Sequence, residues 1–219
     1  MPGPEKNLSV MDRPEHNSAK KGSFDPTSLA RVAMFTAAAV AASLLGRFGS
    51  SLVPFSLLPM VALLAGCLLG PRLGATTMAL YLFLGLAGLP VFSAPPYGGI
   101  AYVLKPSFGF LPGFVLAAAV AGSLATDPRR LLEIGTGRFC LAALSGLGCL
   151  YLVGLPYLWV ILNLYLHQPA GLDAVLRIGF WPFIALDIIK ALAAASVARA
   201  VRMRLAPRPI GLRERKDTV

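Results

Sequence analysis

Six apolar runs, each close to the length of a membrane-crossing helix, occupy most of this sequence and restrict the folds open to it. A hydrocarbon core about 30 Å thick requires about 20 residues of helix. The runs cover residues 29–45, 56–69, 73–89, 110–125, 139–166 and 178–198. With 56% hydrophobic and only 14% charged residues, the chain has too little polar sequence to cover a soluble fold. We therefore predict an all-α integral membrane protein that faces the lipid bilayer along most of its surface.

The distribution of positive charge predicts how the helices are oriented. Twelve of the twenty lysines and arginines lie in the two tails, five before residue 32 and seven after residue 198. If both tails are inside, the inner segments hold sixteen positive residues, whereas the outer connections hold only Arg47, Lys105 and Arg177. Such an excess is typical of the cytoplasmic side of a membrane protein. We predict a multi-pass cell-membrane protein with six transmembrane helices and both termini cytoplasmic.

Three regions follow from this pattern. Residues 1–28 are polar and carry both signs of charge, so we expect a disordered cytoplasmic N-terminal tail. Residues 29–200 form the predicted six-helix membrane domain, and residues 201–219 form a basic cytoplasmic C-terminal tail. The formal net charge of +10 does not indicate nucleic-acid binding, because no basic stripe with interleaved aromatic residues accompanies it.

Small residues recur at four-residue spacing in two places. The two sets are Ala33, Ala37 and Ala41 on the first helix, and Gly66, Gly70 and Gly74 around the connection between the second and third helices. In lipid, such faces allow helix backbones to approach closely. The short connection Gly70-Pro71-Arg72 predicts a tight helical hairpin. The alanine face fits either packing within the chain or docking onto a separate membrane protein, and the pattern does not distinguish them.

Two charged side chains inside the last apolar run are the strongest chemical signal in the sequence. Asp187 and Lys190 are three residues apart and therefore share one helical face. Even the lowest insertion estimates, about 2.5–3.5 kcal/mol per charge, are high enough that such residues usually face a protein interior or a cavity. We interpret the pair as a site for a small polar ligand. A structural ion pair and the acid–base pair of a membrane enzyme are the alternatives.

The segment from residue 90 to residue 110 is too apolar for a solvated loop and too rich in glycine and proline for a continuous helix. Non-helical backbone at membrane depth is tolerated where it lines a cavity. We expect this lid segment to fold over the pocket. Its predicted ligand contacts are Tyr97, Tyr102, Lys105 and Ser107, although Lys105 could instead extend to the membrane interface. Asn163, near the outer end of the fifth helix, is a further candidate contact or a helix–helix hydrogen-bonding residue.

Several chemistries are not indicated. The sequence contains no GxxxxGK[ST] motif and no HExxH motif, so it predicts neither a P-loop ATP site nor a zinc protease. The three cysteines lie in apolar stretches without a CxxC pair and are expected to be packing residues. We therefore predict no metal site, and a transporter built on this chain would need its ATPase from other subunits.

A series of short motifs keeps a fixed order along the membrane domain. They include Pro54-Phe55-Ser56-Leu57, Leu68-Leu69-Gly70-Pro71-Arg72-Leu73-Gly74-Ala75, Gly85-Leu86-Ala87-Gly88-Leu89-Pro90-Val91-Phe92, Tyr151-Leu152-Val153-Gly154-Leu155-Pro156 and Asp187-Ile188-Ile189-Lys190. From about residue 53 to residue 190 the chain thereby resembles the BioY family, the biotin-binding S components of energy-coupling factor (ECF) transporters. The resemblance implies a six-helix S-component bundle that binds biotin outside and delivers it inward. It implies no enzymatic activity and no cofactor.

The resemblance also implies partners and site roles. The partners are a transmembrane coupling subunit and two ATP-binding subunits, with the alanine face of the first helix docking on the coupling subunit. The Asp-x-x-Lys of the biotin pocket maps onto Asp187 and Lys190. We expect the ring amide donors of the ligand to meet Asp187 and its carboxylate to meet Lys190 or Lys105. Because Ser56-Leu57-Leu58 stands where the family usually has Thr-Leu-Gln, a related carboxylated vitamin is an alternative ligand.

Overall fold

The computed structural model describes residues 25–47, 56–126 and 135–205, and these contain seven α-helices and no β-strand. The helices are α1 (Pro26–Leu45), α2 (Leu58–Leu69), α3 (Pro71–Leu86), α4 (Phe110–Ala125), α5 (Thr136–Val160), α6 (Leu172–Gly179) and α7 (Trp181–Leu205). Each predicted apolar run coincides with one of the six longer helices, and the all-α class is confirmed. The predicted tails, residues 1–28 and 201–219, lie mostly outside the described residues, although α1 and α7 each extend a few residues into them.

Length and composition identify the helices that can cross a membrane. Among the described residues, three continuous helical stretches meet both criteria, and they are Pro26–Leu45, Pro106–Ala125 and Thr136–Tyr165. The pair α6 and α7, bent by 47° at the break between them, adds a fourth if it forms one span. By contrast, α2 is apolar but has only twelve residues. The chain is therefore a helical multi-pass membrane protein, with three candidate spans in its described residues, or four if the bent pair is one span.

The predicted hairpin between α2 and α3 is present and depends on glycine. Gly70 ends α2 with a φ of +88°, a conformation that glycine adopts without steric cost. Pro71 then begins α3, a position where its missing N–H is harmless. A Cβ atom added to Gly66 would lie 2.3 Å from the carbonyl oxygen of Ala118. Helix α2 of the hairpin therefore packs on α4 with the two helix backbones in direct contact.

Helices α4 and α5 form the centre of the bundle and pack through further glycines. A Cβ atom on Gly146 of α5 would lie 2.7 Å from the Ala117 carbonyl oxygen, and one on Gly113 of α4 would lie 3.0 Å from the Leu150 carbonyl oxygen. Such small residues allow the close helix approach that dispersion contacts in lipid require. Because α7 packs on both α2 and α5, these two helices position the charged face of α7.

The two faces of α1 differ sharply in exposure. Val32, Thr36 and Ala39 are buried against the bundle. Ala33, Ala37 and Ala41 lie on the other side of the helix and are all exposed. The alanine face is therefore not used for packing within the described part of the chain.

Candidate functional site

The buried ion pair lies on α7 and owes its position to the bend that precedes this helix. The chain turns by 47° between α6 and α7, and Pro182 in the first turn of α7 favours a helix start there. Asp187 and Lys190 follow at a spacing of three, on the inner face of α7. Their exposed fractions are 7% and 8%, and Lys190 Nζ donates to Asp187 Oδ1 over 2.9 Å. The pair thus points into the protein.

Two further groups complete the hydrogen bonding of the pair. The phenol of Tyr151 on α5 donates to Asp187 Oδ2 over 2.7 Å. Lys190 Nζ also donates to the backbone carbonyl of Ser56, just before α2, over 2.8 Å. Three elements that are distant in sequence are therefore joined at one buried polar centre. Since hydrogen bonds to charged groups are stronger than neutral ones, this network holds both charges in a defined geometry.

A cavity of about 390 Å³ opens beside the pair, so the two charges are not sealed against each other. Most of its wall is apolar or aromatic. The aromatic side chains in the wall are Tyr81, Phe92, Tyr102, Phe110, Phe114, Tyr151 and Phe183. Ser93 and Ser107 also line the cavity, and both residues are exposed, so this part of the wall lies next to solvent. A mostly apolar cavity with a few fixed polar groups is the usual form of a small-molecule site.

The lid segment (residues 90–110) covers this cavity as predicted, without a continuous helix. It contains two short 3₁₀ helices, Ile100–Leu104 and Pro106–Gly109. Phe92 is fully buried, and its ring lies 4.3 Å from that of Tyr102. A Cβ atom on Gly85 would lie 2.1 Å from the Phe92 ring. The lid segment is therefore anchored by an aromatic side chain that only a glycine on α3 can accommodate.

Polar groups fasten both sides of the lid segment. Arg47, at the end of α1, donates from Nε to the Phe92 carbonyl over 3.1 Å and also bonds the Pro90 carbonyl. Its guanidinium carbon lies 4.3 Å from the centre of the Tyr97 ring, within the range of cation–π attraction. On the far side, the Tyr157 phenol of α5 donates to the carbonyl of Val103. The lid segment thus connects α1 to α5 across the cavity.

The phenol of Tyr102 is neutral in this setting. Burial raises the pKa of Tyr102, and hydrogen bonds from the neighbouring Ser107 and Ser93 hydroxyls and the Ala94 backbone oppose this rise only in part. Burial disfavours the charged form of a group, which explains the direction of the shift. Tyr102 is therefore a neutral hydrogen-bonding group in the cavity wall.

The structure brings four of the predicted contacts together and places three elsewhere. Asp187, Lys190, Tyr102 and Ser107 all line the cavity. Tyr97 stacks under Arg47 at the edge of the lid segment. The described cavity wall does not include Tyr97, Lys105 or Asn163.

Lys105 and Asn163 have other surroundings. Lys105 is partly buried between the two 3₁₀ helices of the lid segment. Asn163 donates from Nδ2 to the carbonyls of Trp159 and Ala170 and accepts from the Ala170 N–H. The amide therefore closes the connection between α5 and α6, which is a structural use of its hydrogen bonds.

Sequence reasoning missed Tyr151, whose phenol bonds the aspartate. The available signal was a phenol in the middle of an apolar helix, because a buried tyrosine hydroxyl needs a hydrogen-bond partner. It also missed Ser56, which takes part through its backbone carbonyl and so leaves no side-chain pattern. No group of three His, Cys, Asp or Glu side chains that could hold a metal ion occurs in the described ranges.

A helical membrane bundle with an ion pair in a mostly apolar cavity defines a membrane protein that binds a small polar molecule. Residues 15–207 match the model of the BioY family, and the chain belongs to this family. It is 40% identical to the probable biotin transporter BioY of Lysinibacillus sphaericus over 171 residues, covering 78% of this chain and 84% of that protein. The resemblance found in the sequence is confirmed.

Two further proteins are similar to this chain over most of their length, one in sequence and one in fold. The biotin transporter BioY of Rhizobium etli is 36% identical over 182 residues, covering 79% of this chain and 91% of that protein. A crystal structure of the S component for biotin from an ECF-type ABC transporter superposes with a TM-score of 0.68 at 25% identity. The match covers 83% of this chain and 95% of the solved one. These similar proteins are transport proteins. They therefore give no support to the alternative that the chain is a membrane enzyme using Asp187 and Lys190 as an acid–base pair.

Proposed function

We propose that this chain is the biotin-binding S component of an ECF-type vitamin importer, which takes biotin from outside and delivers it inward. The single observation that carries the proposal is the hydrogen-bonded Asp187–Lys190 pair in the wall of a cavity large enough for a small molecule. Membership of the BioY family and the names of the similar proteins support biotin over a related carboxylated vitamin. The chain acts in transport and is not an enzyme, with biotin as its transported ligand and no cofactor.

The geometry favours a particular orientation of biotin. Its ureido group has two N–H donors and one carbonyl acceptor. Asp187 is a carboxylate with further acceptor capacity beyond its bonds to Lys190 and Tyr151, whereas Lys190 carries donors only. We place the ureido N–H groups on Asp187 and the ureido carbonyl towards Lys190. The aromatic wall then receives the thioether ring and the aliphatic tail, with Tyr102 and Ser107 near the tail.

We also propose that the bundle crosses the cell membrane six times with both termini inside. Arg202 of α7 lies near the Leu68 carbonyl at the end of α2, at 3.5 Å, and over the Phe139 ring at the start of α5. Arg138 donates to the Leu124 carbonyl at the end of α4. One end of the bundle is therefore rich in arginine, as expected at the cytoplasmic side. The short helix α2 packs on five other helices, α1, α3, α4, α5 and α7, and we place it and α3 among the six spans.

Binding of radiolabelled biotin to the purified protein tests this function. We expect saturable binding in detergent, and in sealed vesicles we expect binding to right-side-out but not to inside-out preparations. Protease added to inside-out vesicles should remove tags at both termini, whereas intact cells should protect them. A purified, folded protein that shows no saturable biotin binding would contradict the assignment, and protease removal of either tag in intact cells would contradict the topology.

The exposed alanine face of α1 supports docking onto a transmembrane coupling subunit, which in turn carries two ATP-binding subunits. We expect Ala37→Trp to abolish co-purification with the coupling subunit, because a large side chain prevents close helix approach. Biotin binding should be unchanged, since Ala37 is exposed on the side of α1 away from the bundle. Gly148→Trp on α5 is the matched control, since nothing lies within 4 Å of a Cβ atom at this exposed position. Normal assembly of the Ala37 variant would rule out this docking face.

A further inference from the structure

The cavity has no net charge. Of the residues that line it in the described part of the chain, Asp187 and Lys190 are the only acidic and basic ones. Their side chains lie 2.9 Å apart and neutralise each other. An anionic ligand group brought onto Lys190 would compete with Asp187 for the same ammonium, which like-charge repulsion disfavours. The pair is better suited to a neutral group that both donates and accepts hydrogen bonds.

A ligand carboxylate must therefore lie where water or hydroxyl groups can solvate it. Burying a carboxylate without a counter-charge is heavily penalised. Asp187, Lys190 and Tyr151 are all buried, whereas Ser93 and Ser107 in the cavity wall are exposed. With the ureido ring on the ion pair, the ligand tail extends towards this hydroxyl-lined side. A serine hydroxyl both donates and accepts hydrogen bonds, so it can bind either a carboxylate or a carboxamide.

We infer that this site recognises its ligand by the ureido ring and accepts tail amides of biotin as well as biotin itself, an inference that rests on the proposed function. The ligand class is then a bicyclic urea with an aliphatic tail whose polar end can be charged or neutral. The basic residue of the lid segment, Lys105, is partly buried outside the cavity wall. It therefore does not supply the counter-charge that would make a carboxylate obligatory.

Competition against radiolabelled biotin on the purified full-length protein tests the inference. Unlabelled biotin and its primary carboxamide should compete with dissociation constants within about fivefold of each other, because neither loses a buried charge pair. A larger disadvantage of the carboxamide would overturn the inference, since a buried cation on the carboxylate predicts a loss of about thirtyfold or more. 2-Iminobiotin, with a guanidinium in place of the urea, should compete far more weakly at neutral pH. Equal competition by 2-iminobiotin would show that the ureido end is not the recognised group.

The variant Lys105→Met tests whether the carboxylate of biotin binds to Lys105 or lies at the side of the cavity lined by Ser93 and Ser107. We expect its affinities for biotin and for the carboxamide to match those of the unmodified protein. If the substitution weakens biotin alone, Lys105 reaches the carboxylate and the inference is wrong. Absence of all biotin binding would instead remove the proposed function itself, so the two failures are distinguishable.

Discussion

The double variant Asp187→Leu/Lys190→Met should fold and remain stable in detergent but lose biotin binding completely. Replacing both members of a buried ion pair by apolar residues of similar size is often neutral or stabilising, because the desolvation cost of both charges disappears. The hydrogen bonds to a bound urea disappear with the charges. Thermal unfolding should therefore show an unchanged or higher midpoint without ligand, and biotin should cause no further increase.

The exposed ion pair on α6 provides a matched control. Asp173 and Arg177 lie 3.0 Å apart with side chains about three-quarters exposed. The same pair of changes there, Asp173→Leu/Arg177→Met, should leave biotin binding intact, because surface pairs contribute little. The single variant Asp187→Leu should differ from the double one and lose about 3–5 kcal/mol of stability, since it leaves the Lys190 ammonium buried without its counter-charge. Normal biotin affinity in the double variant would mean that the buried pair has a structural role and does not bind biotin.

The variant Arg47→Met should release biotin about ten to a hundred times faster than the unmodified protein. Arg47 bonds two carbonyls of the lid segment and stacks on Tyr97. Hydrogen bonds to a charged group contribute about 1.5–3 kcal/mol, and each 1.4 kcal/mol lost from the closed state is about tenfold in rate. Dissociation of labelled biotin after dilution into excess unlabelled ligand measures this rate directly.

Two comparisons show whether the effect belongs to the lid segment. Arg177→Met removes an equally basic side chain from an exposed position on α6 and should leave the release rate unchanged. Arg47→Lys keeps the charge but lacks the planar fork that reaches two carbonyls together, so its release rate should be intermediate. An unchanged release rate for Arg47→Met would mean that the lid segment stays closed without this fastening.

The class of fold was accessible from the sequence because it depends on local properties. Apolar runs of nearly membrane-crossing length were enough to locate the six longer helices, and the density of glycine and proline marked residues 90–110 as non-helical. The short helix α6 was not predicted, since a connection with both charged and apolar residues has no run long enough to stand out. With twelve residues, α2 is shorter than the about 20 residues of helix that cross a hydrocarbon core, so its position depends on the helices packed against it.

The candidate site was only partly accessible, for a different physical reason. Asp187 and Lys190 stand out because a charge in an apolar run is costly wherever the helix packs. Tyr151 does not, because a tyrosine in a membrane helix is common and its partner is 36 residues away. Lys105 and Asn163 have polar groups at suitable depths, but loop conformation directs them elsewhere. Residue type and depth are readable from sequence, whereas side-chain direction in an irregular segment requires the tertiary structure.

The glycine contacts between helices restrict how the pocket can be emptied. The backbone of α2 contacts that of α4 at Gly66 and Ala118, and the backbones of α4 and α5 meet at Gly113 and Gly146. No side chain lies between the two backbones at these points. Sliding or parting these helices would break close main-chain contacts along their length. The bent entry to α7 lacks such contacts, because a Cβ atom on Gly179 would meet only side chains. We therefore expect movement at this bend, rather than between the central helices, when the ligand leaves.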